Sequence, residues 1–468
     1  ANPMPLPDGP QDSPFLQIMQ TIVRPLETLD ANFLQYSDLY TARISGFGPL
    51  VVLSNPDGIE SLMTAPSHLF DSGRGNWVLA PFVGETSLIL LDGKAHQRQR
   101  KLLTPPFHGD RLRAYGQDIC QITQQIVDRW QPGQAFSARE VTQEISLQVI
   151  MRTVFGVHEE EQSERLRQHL NSLVRLFDQP LNASFVFIPA LQKDWGAWSP
   201  WGHLNRQRAK IDTILYAEIE DRREHPERRG NDILSLMLSA RDEAGEPMTD
   251  QELRDEMMTL LFAGHETTAT ALAWALYWIH WLPEVGAKVL QELAELGPNP
   301  DPLAISRLPY LNAVCQETLR IYPVGLFAFS RILNEPWSLM DHDFESGTAI
   351  SICIYLLHHR PDLYPNPKQF RPERFLERQF SPYEYFPFGG GNRRCIGAAF
   401  AMFEMKLVLA TILSRWQLQL ASNHPIKPCR RGVTMSPAKG VPMRVVNKRS
   451  SLPTASNIDN PTMVQSSS

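Results

Sequence analysis

Apolar residues recur at three- and four-residue spacing through most of the chain, which is the pattern of amphipathic helices. The spacing is regular in RLRAYGQDICQITQQIVDRW, EVTQEISLQVIMRTVFGV, HLNRQRAKIDTILYAEIEDRR, PYLNAVCQETLRIY and AAFAMFEMKLVLATILSRW. Short strands are predicted for YTARISGFGPLVVLS, FAFSRIL and TAISICIY. The pattern therefore predicts a mainly α protein with a minor β region near its N-terminus.

The longest apolar stretch covers residues 260–282. It is long enough to cross a bilayer, but a glutamate, a histidine and several threonines in its first half favour a buried helix of a soluble domain. Thr249 and Glu252 have the spacing of a capping box, and Pro283 stops the pattern. We predict one helix of about thirty residues between them.

No linker or low-complexity run divides residues 1–446, so one large domain is expected. The last 22 residues, NKRSSLPTASNIDNPTMVQSSS (447–468), have almost nothing to bury and are predicted to form a disordered tail. The opening ANPMPLPDGP lacks the basic and apolar blocks of a signal peptide or anchor, which favours a cytoplasmic protein. An anchor that was removed ahead of this stretch would leave no trace in it.

Charge and cysteine content exclude several classes of function. The chain has 45 Lys and Arg against 51 Asp and Glu, a net charge of -6, so nucleic acid is not an expected partner. Its five cysteines include no CxxC pair, which argues against a disulfide scaffold and a structural zinc site and fits a reducing cytosol. They are Cys120, Cys315, Cys353, Cys395 and Cys429.

The stretch FPFGGGNRRCIG, residues 386–397, places Cys395 in a glycine loop. A phosphate loop is disfavoured, because no Gly-Lys-Ser/Thr follows and SPYEYFPF is a poor buried strand. An axial thiolate for haem iron needs a fixed sulfur, N–H groups directed at it, and glycines beside the macrocycle. Phe388 can cover such a sulfur, Gly391 permits a bend, Arg393 can reach an acidic haem edge, and Gly397 lets the next helix approach closely. A plain buried thiol is the alternative.

These five positions match the haem-binding signature of the cytochrome P450 family one by one, so the sequence resembles that family. The resemblance implies the cytochrome P450 fold, a single large domain that encloses haem b, and Cys395 as the axial ligand of the iron. The resemblance is strongest to soluble bacterial members, including cyanobacterial ones.

The motif AGHETT in the long helix matches the family's distal helix. Gly264 costs about 1 kcal/mol relative to alanine in a helix interior, so something must offset it. The resemblance implies an unwound turn that receives dioxygen, with Glu266 and Thr267 as an acid–alcohol pair that supplies protons. The alternative is structural, with the threonine bonded to the preceding turn and the glutamate paired with an arginine.

The motif HQRQR matches a helix that flanks the haem in the family. Buried haem carboxylates need cationic or hydrogen-bonding partners, and the resemblance implies His96, Arg100, Arg331 and Arg393. Solvated basic residues are the alternative. The motif ETLR, with Glu317 and Arg320, and Arg374 of FRPERF match a buried ion-pair set of the family, to which the resemblance assigns a structural role.

The positions that line the substrate pocket in the family are nearly all apolar here, which predicts a lipophilic substrate. Ordinary core packing is the alternative for each of them. The candidates are Trp77, Leu79, Phe82, Leu261, Ala263, Val324, Leu326, Phe327 and Met435. The resemblance to cyanobacterial fatty-acid hydroxylases favours a long-chain fatty acid or a terpenoid, and Arg74 is positioned to hold a carboxylate at the pocket mouth.

The chain has no flavin or nicotinamide fingerprint, so electrons are expected from a ferredoxin or flavodoxin with an NAD(P)H reductase. By family position, a basic patch surrounds the sulfur side and suits an acidic partner. Its members are Arg98, Lys101, Arg111, Arg113, Arg393 and Arg394. We expect a monomer.

The segment FVFIPALQKDWGAWSPWGH is rich in aromatic residues, namely Phe185, Phe187, Trp195, Trp198 and Trp201. It either dips into a membrane interface, giving a peripheral membrane contact, or packs onto the sheet.

The sequence thus predicts a monooxygenase that inserts one atom of O2 into its substrate by hydroxylation or epoxidation. Two alternatives stay open. One is a peroxide-driven peroxygenase or hydroperoxide-rearranging enzyme, whose members often lack the acid–alcohol pair. The other is a haem protein that binds a diatomic gas, against which the thiolate motif argues.

Overall fold

The structure is a computed structural model that describes residues 5–45, 48–107, 109–156, 160–175, 193–196, 199–431 and 434–452, without the side chains of residues 45, 160–163, 174 and 175. It is a single domain with 57% helix and 13% strand, which confirms the mainly α prediction.

The helices are α1 Pro14–Val23, α2 Pro25–Tyr36, α3 Pro56–Thr64, α4 Ala80–Val83, α5 Gly93–Leu103, α6 Asp110–Val127, α7 Ala138–Phe155, α8 Glu160–Arg175, α9 Pro200–Glu224, α10 Ile233–Ser239, α11 Asp250–Trp281, α12 Pro283–Glu295, α13 Pro302–Ser306, α14 Pro309–Ile321, α15 Ile354–His358, α16 Arg374–Glu377 and α17 Ala398–Arg415.

The strands are β1 Leu39–Ser45, β2 Gly48–Leu53, β3 Phe70–Asp71, β4 Ala135–Ser137, β5 Arg331–Leu333, β6 Trp337–Leu339, β7 His342–Phe344, β8 Ala349–Ile352, β9 Trp416–Leu420, β10 Pro428–Arg431, β11 Thr434–Pro437 and β12 Pro442–Lys448.

Helix α11 is the central element of the core. Its N-terminus carries the predicted capping box, in which the Thr249 hydroxyl accepts the N–H of Glu252 and the glutamate side chain accepts the N–H of Thr249. The helix packs against α7, α9, α14 and α17, and its second half is buried on all sides. It therefore runs through the whole domain, as its length and apolar pattern predicted.

The principal sheet has the strand order β1-β2-β8-β5-β3. Strands β2 and β8 are parallel, and the other neighbours are antiparallel. The expected N-terminal sheet thus also contains two strands from beyond residue 330. Their hydrophobic residues close a second core cluster on one face, around Val51, Leu53 and Ile350.

Strand β12 extends two residues past the domain boundary predicted at residue 446. Asn447 pairs with Gln417, and Lys448 pairs with Trp416 and places its ammonium group over the indole ring. The backbone of this apparently polar segment is therefore ordered by strand pairing, which composition alone does not reveal. Residues 453–468 lie outside the described residues. No helix in the described part of the chain has the length and apolar character needed to span a bilayer.

Candidate active site around Cys395

The loop that carries Cys395 is shaped by glycines and closed by its own backbone. Gly389 and Gly391 have φ angles of 68° and 62°, which side chains other than glycine rarely adopt. The N–H of Cys395 donates to the carbonyl of Phe388 at 2.9 Å, and the N–H of Phe386 donates to Nε2 of His358 at 2.8 Å. The turn predicted at Gly391 is confirmed, and it helps to fix the position of the Cys395 sulfur.

The surroundings of the sulfur combine burial with several positive groups. Burial raises the pKa of the Cys395 thiol, while the N–H of Gly397 and the guanidinium groups of Arg100 and Arg394 lower it. Helix α17 begins three residues later, so its N-terminal dipole adds to the same field. The Cys395 side chain is exposed and therefore free to bind a ligand. These groups favour a thiolate once a cation lies beside the sulfur.

Gly397 has no packing role within the chain itself. Apart from its chain neighbours, a Cβ added at this position would have no atom of the described residues within 4 Å, and its φ of -89° suits any residue. The predicted close approach of the following helix is therefore not a contact between protein atoms at this glycine. The position instead leaves open space next to Cys395.

Four basic residues from three separate elements converge near this loop, as the resemblance implied. His96 and Arg100 come from α5, Arg331 from β5, and Arg393 from the Cys395 loop. His96 is buried, and its pKa falls to about 4 because of that burial and of the positive charges of Arg393, Arg100 and Arg331. Elements separated by 62 to 297 residues along the chain thus contribute to one electrostatic cluster.

The described residues give this cluster more positive than negative charge. Among the described residues, Asp92 is the acidic group that pairs with it, through a 2.5 Å contact from Oδ1 to Nη2 of Arg393. Arg331 is buried with no carboxylate at ion-pair distance in the part of the chain that the structure describes, and burial and the charge of Arg393 lower its pKa to about 10. A cavity of about 170 Å³ is lined by Arg331, Arg393 and Lys94. The residues present therefore fit a group with two carboxylates, such as haem.

The predicted ion-pair set of Glu317, Arg320 and Arg374 is present in the structure. Arg320 donates two hydrogen bonds to Glu317, at 2.6 and 2.8 Å, and Arg374 donates one at 3.0 Å. The N–H of Arg371 also donates to this carboxylate, at 2.8 Å. All three charged side chains are buried, which confirms the predicted ion-pair geometry.

Glu266 and Thr267 both make the contacts expected if they have a structural role, namely an ion pair with an arginine and a hydrogen bond to the preceding turn. The Glu266 carboxylate contacts Nη2 of Arg139 at 2.5 Å and accepts from Nε2 of Gln143 at 2.6 Å, both on α7. The Thr267 hydroxyl donates to the carbonyl of Ala263 at 2.7 Å. The glutamate is thus directed at α7, and Arg139 is a buried partner that the sequence analysis missed.

The distal helix is continuous at its glycine, where the resemblance implied an unwound turn. A Cβ on Gly264 would lie 2.9 Å from Cδ1 of Ile150 on α7. Close packing of α7 against α11 therefore offsets the cost of a glycine, which has a low helix propensity, at this position.

The candidate substrate residues divide into packed and accessible groups. Phe82, Leu261, Leu326 and Met435 are buried, whereas Trp77 and Ala263 are exposed. Leu79, Val324 and Phe327 are half-buried.

Two contacts join these segments. The ring of Phe82 stacks on Phe262 of α11 at 5.6 Å, and the N–H of Met435 donates to the carbonyl of Val324 at 2.8 Å. The substrate segments from distant parts of the sequence are thus brought together along α11.

The predicted basic patch is largely neutralised by acidic residues of the chain. Arg98 contacts Asp242 and Glu252 at 2.6 and 2.8 Å, and Lys101 contacts Glu243. Arg393 pairs with Asp92 and Arg113 pairs with Asp110, whereas Arg111 donates to the amide oxygen of Asn231, which carries no charge. The turn between α10 and α11 supplies two of these acids, a proximity that no local pattern predicts. The field that would attract a partner is therefore weaker than expected.

The aromatic segment is described only in part. Trp195 is exposed and Trp201 is half-buried, while Phe185, Phe187 and Trp198 lie outside the described residues.

Comparison with known proteins matches residues 7–442 to the family model "Cytochrome P450". Cytochrome P450 135B1 of Mycobacterium tuberculosis is 36% identical over 443 residues, covering 94% of this chain and 92% of the relative. Cytochrome P450 135A1 of the same species is 32% identical over 449 residues, covering 95% of this chain and 96% of the relative.

Solved structures agree in fold. The retinoic acid-bound cyanobacterial CYP120A1 has a TM-score of 0.81 at 23% identity, over 95% of this chain and 100% of the other. The haem domain of cytochrome P450DA has a TM-score of 0.83 at 23% identity, over 96% and 99%. With the family model spanning nearly the whole chain, these matches make the chain a member of the cytochrome P450 family, a haem-thiolate monooxygenase that uses haem b.

Proposed function

We propose that this monooxygenase acts on a lipophilic substrate, a long-chain fatty acid or a terpenoid, and hydroxylates or epoxidises it with electrons from a separate ferredoxin or flavodoxin and its NAD(P)H reductase. The observation that carries the proposal is the apolar character of every candidate pocket residue, from Trp77 to Met435. Apolar walls with few polar groups select substrates by shape and by burial of their surface.

Different residues of the chain would hold the haem and handle protons. Cys395 would hold the iron, and His96, Arg100, Arg331 and Arg393 would hold the haem carboxylates. When bound, the haem supplies dioxygen activation. Thr267, on the face of α11 next to the exposed Ala263, would position a proton donor, and Glu266 would relay protons after leaving Arg139.

The first experiment tests the iron ligand. The dithionite-reduced protein under carbon monoxide should show a strongly red-shifted Soret band, and Cys395→His should lose it. Cys429→Ser, at a half-buried cysteine elsewhere, is the matched control and should keep the band. A band at the imidazole position in the parent protein would overturn the ligand assignment and favour the gas-binding alternative.

The second experiment tests the source of electrons. Turnover with ferredoxin, reductase and NADPH should exceed turnover with hydrogen peroxide alone. Equal rates would favour the peroxygenase alternative. Because several cations of the sulfur side already have acidic partners, we expect the reduction rate to fall only modestly as salt rises.

The third experiment tests the substrate class. Arg74 is exposed at the start of the segment that carries Trp77. Arg74→Ala should weaken the spectral response to palmitate and spare that to a neutral terpene. Equal effects on both compounds would contradict a carboxylate contact.

A further inference from the structure

The loop between α4 and α5, residues 84–92, is fastened to α11 by buried side chains of that helix. The Asp255 carboxylate accepts the N–H and the hydroxyl of Thr86, at 2.9 and 2.7 Å. The loop approaches so closely that a Cβ on Gly84 would lie 2.1 Å from Oδ1 of Asp255. Arg254 donates to the same oxygen at 2.8 Å, so this first contact is charge-balanced.

The second fastening group is Glu256, one residue further along the helix. Its Oε1 accepts the N–H of Leu88 at 2.6 Å and Nε2 of Gln99 at 3.0 Å. The glutamate and the glutamine are both buried. Beside this contact, Thr259 Oγ1 lies 2.7 Å from Ser87 Oγ.

Two oxygen atoms of this contact have no hydrogen-bond partner in the described part of the chain. They are Oε2 of Glu256 and Oε1 of Gln99. Both are acceptors when the glutamate is ionised, and burying unsatisfied acceptors is costly. One proton on Oε2 turns it into a donor that can serve Oε1 of Gln99, which completes a cyclic acid–amide pair. The geometry therefore favours a neutral Glu256.

The electrostatic surroundings favour the same state. Burial raises the pKa of Glu256 to about 8; hydrogen bonds from Gln99 and Leu88 lower it, and the charges of Asp255 and Glu252 raise it. Those two acids have their own cations, Arg254 and Arg98. No cation is thus left to pair with Glu256 among the groups that act on it.

The loop connects two parts of the site. Before it lies α4, where Phe82 stacks on Phe262 of α11. At its other end, the carbonyls of Leu88 and Leu91 accept from Arg393 at 3.3 and 2.6 Å. Displacement of Leu88 would therefore disturb both the pocket wall and an anchor of the haem edge.

We propose that Glu256, carrying a proton, is a positioning residue that fastens the 84–92 loop to α11 and so sets the wall formed by residues 77–83, and that its ionisation in alkaline solution releases the loop. The inference rests on the proposed function only in taking this wall as the substrate side. Glu256→Gln reproduces the acceptor for Leu88 and the donor for Gln99 but cannot ionise. It is therefore the matched variant.

The test is hydrogen exchange of the haem-loaded protein at pH 7 and pH 9.5, corrected for intrinsic rates. The Leu88 amide should lose protection roughly tenfold at pH 9.5 in the parent protein, because most Glu256 is then ionised. Peptides covering residues 77–83 should lose protection with it. Glu256→Gln should keep parent-like protection at both pH values, and the Arg371 amide, held by Glu317 outside the loop, is the internal control.

Three outcomes would overturn the proposal. They are a parallel loss of protection in Glu256→Gln, weak protection of that variant already at pH 7, and a change at Leu88 that leaves residues 77–83 unaffected. If Glu256→Ala folds, it should lose the Leu88 protection at pH 7; if it does not fold, the comparison of parent with Glu256→Gln still decides. Exchange requires neither substrate nor turnover, so failure of the proposed function would appear separately, in the spectral and activity assays.

Discussion

The chain buries arginines in two clusters that differ in how their charge is balanced. Around Glu317, two arginines share one carboxylate, and their remaining N–H groups donate to the carbonyls of His358, Pro365 and Gln369. Around His96, the three arginines form one ion pair among the described residues, between Arg393 and Asp92, and Asp71 adds a weaker favourable charge near Arg393. In the first cluster, the protein itself supplies hydrogen-bond acceptors for the buried guanidinium groups. In the second, Arg331 is buried with no carboxylate at ion-pair distance among the described residues, which suits a site for an anionic group.

The largest expected effect comes from breaking the satisfied cluster. Glu317→Ala leaves Arg320 and Arg374 buried without a carboxylate, and it should lower the free energy of unfolding by about 3–5 kcal/mol. Denaturant unfolding should show this loss with and without haem. Glu377→Ala, at an exposed pair with Arg371, is the control and should cost less than about 1 kcal/mol. A small effect of Glu317→Ala would remove the distinction between the clusters.

An intermediate effect is expected from the unbalanced cluster. Arg331→Leu removes a buried guanidinium that lacks an acidic partner, so haem-free stability should hold or rise. Haem affinity should fall about tenfold or more, as for loss of a charge-assisted hydrogen bond. Haem transfer to apomyoglobin measures this affinity. Arg222→Leu, which breaks a buried contact with Asp232, should show the reverse pattern, with lower stability and unchanged haem affinity. Equal losses of stability in both variants would contradict the comparison.

The last effect concerns pH. The pKa of His96 lies at about 4 in the folded chain, below the ordinary value of 6.5, so the unfolded state binds more protons between these values. Stability from this group is complete above pH 6.5 and is lost as pH falls towards 4, by about 3 kcal/mol in haem-free protein.

Haem carboxylates beside His96 should raise its pKa and weaken this pH dependence. Urea unfolding at pH 4.5 and 6.5 measures it, and His96→Asn should flatten the haem-free profile. The same slope with and without haem would place the carboxylates elsewhere.

Local patterns predicted what local forces decide. The capping box at Thr249 and the stop at Pro283 bound the long helix to within a residue, because both act within one turn. The turn at Gly391 follows from a backbone angle that glycine tolerates. The Glu317–Arg320 pair follows from helical spacing.

Contacts between distant segments could not be predicted in this way. Arg139 meets Glu266 across 127 residues, and Gln99 meets Glu256 across 157. Asp242 and Glu243 neutralise cations of α5 that the sequence alone presents as a free basic patch. The sequence neighbours of a charged residue do not indicate which partner it contacts in the folded protein.

The sequence by itself determined the family, the candidate iron ligand, the order of the helices and the apolar character of the candidate pocket segments, because these depend on motif spacing and on short-range periodicity. Only the tertiary structure decided which charges remain unbalanced, since that depends on which carboxylates come within a few ångströms after folding. It also placed Glu256 against Leu88 and Gln99, where loss of water, rather than any feature of its sequence neighbours, favours the proton on its carboxyl group.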